Sequence, residues 1–190
     1  MTNLNRRNFL GFTSAFIGSA VAAPAFATPS TTEKWDLTTD IVIVGAGGAG
    51  LAAAAQAGLL GVKCIVLEKE PVVGGSSVIC GGKWAVSGSE LQIKQGVKDS
   101  EELFVKDMMD CGMQKNDLEV VKAYVKENNE TWKWVHTVGK IEPLALNMAG
   151  GQSVPRSLVV KPGQVIEFLR KTATDKGAQI MTCLLYTSPS

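Results

Sequence analysis

The chain has 190 residues, 45% of them apolar and 19% charged, with 19 Lys and Arg against 18 Asp and Glu and a single His. That composition excludes a disordered chain, and the near-neutral balance leaves no electrostatic footprint for nucleic acid or an anionic membrane surface. The length permits one ordinary domain. Its oddity is glycine, because 11 of 20 fall between Gly45 and Gly88, a density that suits backbone lying close to a ligand.

Residues 1–27 predict an export signal. Arg6 and Arg7 carry its only charges, an apolar stretch runs from Phe9 to Val21, and Ala25-Phe26-Ala27 supplies a small-x-small cleavage site. The paired arginines ahead of Phe9 and Leu10 resemble a twin-arginine (Tat) leader, with Asn5 where Ser or Thr is more usual. Gly11, Thr13, Ser14, Gly18 and Ser19 dilute the stretch, which falls short of a membrane span of about 20 apolar residues. The expectation is a periplasmic or otherwise exported protein with no stable membrane insertion. Residues 28–39 read as a polar linker.

Asp40 to Val44 is a β-branched run, as in a strand covered on both faces. Gly45 to Gly61 reads as a turn and an Ala-rich helix packing through Leu51, Ala52, Ala55 and Leu59. Val62 to Leu67 reads as a second buried strand, broken only by Lys63 and followed by Glu68. Together they make a β-α-β unit with a right-handed crossover and parallel strands. Ile41 to Val62 is uncharged, but its six glycines and Gln56 make it a strand and helix rather than a membrane span.

Glu70 to Gly88 reads as a Gly/Ser-rich loop. Asp99 or Ser100 caps a helix running to about Cys111. Asp117 opens a longer one towards Val138, with Leu118, Val121, Val125, Trp132 and Val135 near helical spacing and Gly139 ending it. Gly163 to Lys176 forms a further helix through Val165, Ile166, Leu169 and Ala173, and Gln179 to Thr182 a returning strand. The last eight residues, Cys183 to Ser190, fit nothing before them and look like translated sequencing-adapter read-through. The expectation is a natural protein that continues differently after Thr182, leaving 40–182 as the first part of a larger domain.

Gly45-Ala46-Gly47-Gly48-Ala49-Gly50 satisfies G-x-G-x-x-G between strand and helix, and Glu68 follows Gly50 by 18 residues at the end of the next strand. Gly45 allows the tight turn, Gly47 leaves room for a pyrophosphate, and Gly50 lets helix and strand approach. The helix N-terminus attracts the diphosphate charge. Glu68 is placed to accept hydrogen bonds from the adenosine ribose hydroxyls, and its carboxylate repels a 2′-phosphate, which disfavours NADP. The fingerprint alone leaves NAD and FAD both open.

From Asp40 to Ala54, and again from Leu67 through Lys69, Gly74-Gly75-Ser76-Ser77 and Gly81-Gly82, the chain resembles the fumarate reductase/succinate dehydrogenase flavoprotein family. The resemblance extends more loosely to Thr182. It implies an α/β, Rossmann-like FAD-binding domain with a parallel sheet, incomplete here because the capping domain and the rest of the FAD site are expected beyond residue 182. It implies FAD as cofactor, held by Gly45, Ala46, Gly47, Gly48, Ala49, Gly50, Glu68, Lys69, Gly75, Ser76, Ser77, Gly81 and Gly82. The two serines are also open to a helix-capping role. By the same resemblance the full-length protein moves hydride between flavin and an activated carbon–carbon bond of a small organic acid such as a fumarate-like enoate. A 3-ketosteroid-type flavin dehydrogenase and a non-catalytic FAD-binding piece are the alternatives.

Gly150 to Arg156 resembles the family segment leading to the substrate side of the flavin, which makes Arg156 a candidate substrate contact or a ligand of local carbonyls. Fumarate-reducing members commonly carry His two residues after that Arg, whereas this chain has Leu158, which argues against fumarate itself. His136, Trp84, Trp132 and Trp134 read as packing residues. Cys64, Cys80, Cys111 and Cys183 form no C-x-x-C, so no zinc ribbon, attached c-type haem or other metal is expected. Only about a dozen residues separate the leader from the first strand, too few for the haem module of flavocytochromes c. Electrons are therefore expected from an external donor such as a c-type or membrane cytochrome. The catalytic acid is expected beyond residue 182.

Overall fold

The computed structural model describes residues 35–184. The leader, most of the linker and nearly all of the tail therefore lie outside the described residues. The fold is carried by the unit that begins at Leu37. In chain order its first half comprises β1 (Ile41–Val44), α1 (Gly48–Leu59), β2 (Cys64–Leu67), α2 (Gly75–Val78), β3 (Lys83–Ala85) and α3 (Glu90–Lys94). The second half adds α4 (Glu101–Cys111), α5 (Leu118–Thr137), β4 (Ala145–Asn147), β5 (Ser157–Val159), α6 (Pro162–Asp175) and β6 (Gln179–Met181).

Two three-stranded sheets organise these elements. The first is parallel, in the order β1-β2-β6, with Ile41 opposite Cys64 and Ile65 opposite Gln179. Cys64 and Val66 point to one face of β2. There they share a core with Leu51, Ala54 and Ala55 of α1 and Ile166, Leu169 and Ala173 of α6. The second sheet is antiparallel, in the order β3-β5-β4, and the sequence reading did not foresee it. Trp84 and Leu146 flank Leu158 across it. Trp132 and Val135 of α5 complete that second core, with Trp84 edge-on to Trp132 at 5.6 Å between centroids. Helix α6 serves both cores, since Val165 and Phe168 pack against the second.

Most expected elements form, and their ends follow from named caps. Ser100 accepts from the Leu103 N–H at the start of α4, and Asp117 accepts from the Glu119 and Val120 N–H groups at the start of α5. Three details differ. Strand β2 starts at Cys64, because the Val62 N–H is used on the Ala57 carbonyl at the end of α1. Helix α1 buries Leu51, Ala54, Ala55 and Ala57 and leaves Ala52 and Leu59 exposed. Strand β1 is an edge strand among the described residues, with Ile41, Val42 and Val44 exposed rather than covered on both faces.

The segment 70–88, expected as loop throughout, contains α2 and β3. Across 41–62 the chain folds as strand, turn and helix, and among the described residues no helix is long and apolar enough to cross a membrane.

Leu51 is fully buried where α1 meets β2 and α6. Leu51→Ala should therefore lower unfolding free energy by about 2–5 kcal/mol in denaturant titrations. Val120→Ala, on the exposed side of α5, should change it by no more than about 0.5 kcal/mol.

Candidate cofactor site

Strand β1 ends at Val44, and the next four peptides make the turn that opens α1. Gly45 turns with φ +95°, a conformation that excludes most side chains, and its N–H donates to the Leu67 carbonyl at 2.7 Å. At Gly50 a Cβ would land on the Gly45 carbonyl, so the third glycine of the fingerprint is fixed by close packing of helix start against turn. Gly47 is different. A Cβ there would meet only the Gly74 carbonyl, at 4.0 Å, an ordinary contact.

Packing therefore accounts for Gly50, whereas the fold alone leaves room for a side chain at Gly47. Gly47 itself offers no capping side chain, and the first turn of α1 carries no acid. A helix start of that kind attracts anions.

The remaining fingerprint residues converge on this point. Glu68, at the end of β2, accepts the Ala46 N–H on Oε2 at 2.6 Å and the Glu70 N–H on Oε1 at 2.9 Å. The Glu70 bond, then the Ala46 bond, hold its carboxyl below the usual range against the opposing effect of burial, helped by Lys69. An ionised carboxylate has about four lone-pair positions, so each oxygen keeps capacity for a ribose hydroxyl.

Gly74 donates to the Ala46 carbonyl at 2.7 Å and bridges to Gly47. The Ser77 hydroxyl accepts the Gly48 N–H at 3.3 Å, so Ser77 caps α1, not its own helix. Gly48, Ser77 and Gly82 line one mostly apolar cavity of about 280 Å³ with Trp84, Trp134, Val160 and Leu169. Gly75 lies 3.6 Å from Gly47, measured from an ideal Cβ to Cα. Ala49, Lys69, Ser76 and Gly81 are exposed, and the Lys69 ammonium lies 3.4 Å from Glu70. The bare backbone at Gly47, the anion-attracting helix start and the oriented carboxylate fit a dinucleotide such as FAD.

The Arg156 side chain is fully buried and paired with two carboxylates rather than with local carbonyls. Nε and Nη2 donate to Asp99 at 3.1 and 2.9 Å, and Nη1 lies 3.0 Å from Asp107. The guanidinium carbon sits 4.6 Å over the Phe104 ring. Burial works to raise the Asp107 carboxyl, but the Ser153 hydroxyl and N–H and the Arg156 charge outweigh it and hold it below its ordinary value.

Gln92 joins the same network, donating to Asp99 and to the Pro155 carbonyl at 2.8 and 2.7 Å. The network was missed in the sequence, although Ser89-x-x-Gln92 is a capping-box pattern that marks the start of α3. Leu158 is also fully buried.

Residues 40–173 match the FAD binding domain family, and the chain belongs to it. It is 35% identical over 157 residues to the acrylate reductase flavoprotein subunit of Shewanella woodyi, covering 81% of this chain and 31% of that protein. It is 36% identical over 120 residues to a fumarate reductase (cytochrome) of Shewanella frigidimarina, covering 63% of this chain and 21% of that protein. The fold superposes on the open conformation of a flavocytochrome c3 fumarate reductase with TM-score 0.72 and 29% identity, over 78% of this chain and 27% of that one. The chain thus spans about a third or less of these relatives.

Replacing Arg156 by Met should strand two buried carboxylates and cost about 3–5 kcal/mol, read as a lowered denaturant midpoint at neutral pH. The folded Asp107 carboxyl is depressed, so the stability it contributes is complete above the unfolded carboxyl value of about 3.9. It is lost as pH falls through the lower folded value. The deficit of Arg156→Met against the parent chain should accordingly shrink in acid.

Proposed function

We propose that this chain supplies the FAD-holding part of an exported reductase that acts on a carbon–carbon double bond conjugated to a carboxylate. The observation that carries the reading is the convergence of Gly45 to Gly50, Glu68 and Gly74 to Ser77 on one helix start. The bare Gly47 backbone and the positive end of α1 receive the diphosphate, Glu68 the adenosine ribose. Gly75, Ser76, Ser77, Gly81 and Gly82 border the flavin, with Ala46, Ala49 and Lys69 contributing backbone. FAD, when bound, supplies hydride transfer to the activated bond. This chain's residues bind and orient it.

Two relatives named for acrylate and fumarate reduction support the conjugated acid as substrate class. Leu158 sits in the core where a dicarboxylate reductase of this type commonly has His, which favours a substrate with one carboxylate. Arg156 and His136 are both engaged elsewhere, so neither is assigned as proton donor. The paired arginines and small-x-small site of residues 1–27 support twin-arginine export to the periplasm. The cytochrome in the name of one relative supports an external cytochrome as electron source.

The purified full-length protein should carry visible flavin absorption, and its Gly47→Val variant should be colourless while retaining its far-ultraviolet circular dichroism. Glu68→Gln removes charge-assisted hydrogen bonds each contributing about 1.5–3 kcal/mol. FAD affinity should therefore fall about 10- to 150-fold, measured by flavin fluorescence on titration. A colourless parent protein that retains NAD would overturn the reading.

A further inference from the structure

His136 is the chain's single histidine and sits in the last turn of α5. Its ring lies parallel to that of Trp132, one turn earlier, with centroids 5.5 Å apart and planes within 9°. Nδ1 is 3.0 Å from the Ile141 carbonyl oxygen, and Nε2 is 3.0 Å from a carboxylate oxygen of Glu90, the first residue of α3. Both partners are acceptors. A neutral imidazole has one N–H and an imidazolium has two. Either neutral tautomer therefore satisfies one partner and turns a lone pair towards the other.

We infer that His136 is a proton-operated latch, in which the imidazolium ties the first turn of α3 to the chain leaving α5, and the neutral ring keeps its one N–H on the buried Ile141 carbonyl and lets the solvent-facing Glu90, and with it α3, go. The charged groups facing the ring are Glu90 and Lys94 from α3 and Glu142 from the segment after α5, whose carboxylate lies 3.9 Å from Nδ1; β5 presents only Leu158. Two acids against one ammonium favour the cation. The hydrogen bond to Ile141 raises the imidazole from its ordinary value, partial burial opposes it, and Glu90 and Glu142 add to the rise. The stabilisation is therefore complete below the unfolded value of about 6.5 and is lost as pH rises through the folded one.

Helix α3 is a useful element to hold in this way. It has only five residues, and its Gln92 bonds both Asp99 and the Pro155 carbonyl, next to Arg156. Loosening its first turn loosens one end of the buried charge network.

Because the chain has one histidine, its ring resonances are unambiguous in nuclear magnetic resonance spectra of the full chain. They should titrate above the unfolded value of about 6.5, with both ring nitrogens protonated below the midpoint. Amide protection of Glu90–Lys94, corrected for intrinsic exchange, should fall through the same midpoint. The fall should be about tenfold for each unit by which His136 titrates above the unfolded chain.

Glu90→Gln, at an exposed position, leaves packing intact and should lower the midpoint and shrink the protection step together. His136→Gln should remove the step. A midpoint at or below the unfolded value would overturn the latch, as would a raised midpoint with unchanged protection of α3.

Discussion

The hydrogen bond from the Ala46 N–H to the Glu68 carboxylate is the contact around which the parallel half of the molecule is arranged. It crosses between the ends of two neighbouring strands and fixes the turn after β1 against the residue after β2. The Gly45 N–H makes a parallel link to the Leu67 carbonyl. With the turn held from both sides, α1 starts close enough to the turn that residue 50 has no space for a Cβ. A charged acceptor makes this a stronger bond than a neutral side chain would. The same carboxylate therefore shapes the turn through the Ala46 N–H and the segment after β2 through the Glu70 N–H.

That arrangement extends to the second glycine segment. The Ala46 carbonyl holds Gly74, and the Gly48 N–H holds Ser77. The Ala46 N–H and carbonyl and the Gly48 N–H thus all bond to the chain that follows β2. The apolar cavity beside them runs between the two cores. It is bordered by α1 and α6 on one side and by Trp84, Trp134 and Val160 on the other. Helix α6, which packs into each core, is the element that joins them.

The parallel half was legible in the sequence because its signals are local. Uninterrupted β-branched runs, a glycine spacing and a terminal acid lie within 30 residues, and the Asp117 and Ser100 caps announce their own helices. The antiparallel sheet was not legible, because β3, β4 and β5 have three residues each, too short for alternation to register. Their pairing joins Trp84 to a strand more than 70 residues later. The buried pairing of Arg156 was not legible for the same reason: Asp99 lies 57 residues before it and Asp107 49 (156 − 107), and nothing in the local segment marks a buried ion pair. Ser77 was read as either capping or ligand-facing, and it does cap a helix, though the one that starts 29 residues before it.

The residues around β5 show how burial bears on chemistry. Arg156, just before the strand, and Leu158, within it, are both fully buried. The arginine tolerates burial because two carboxylates and an aromatic face replace its water. Leu158 is buried because Trp84 and Leu146 flank it. A polar residue at 158 would enter that apolar layer without a partner, at a desolvation cost of about 1–3 kcal/mol. The leucine is therefore consistent with its surroundings in a way a substrate-binding histidine would not be, and this face of β5 belongs to the core. Just past β5 the Val160 N–H donates to the Gly82 carbonyl, so the second Gly-Gly pair is tied to this core through the backbone.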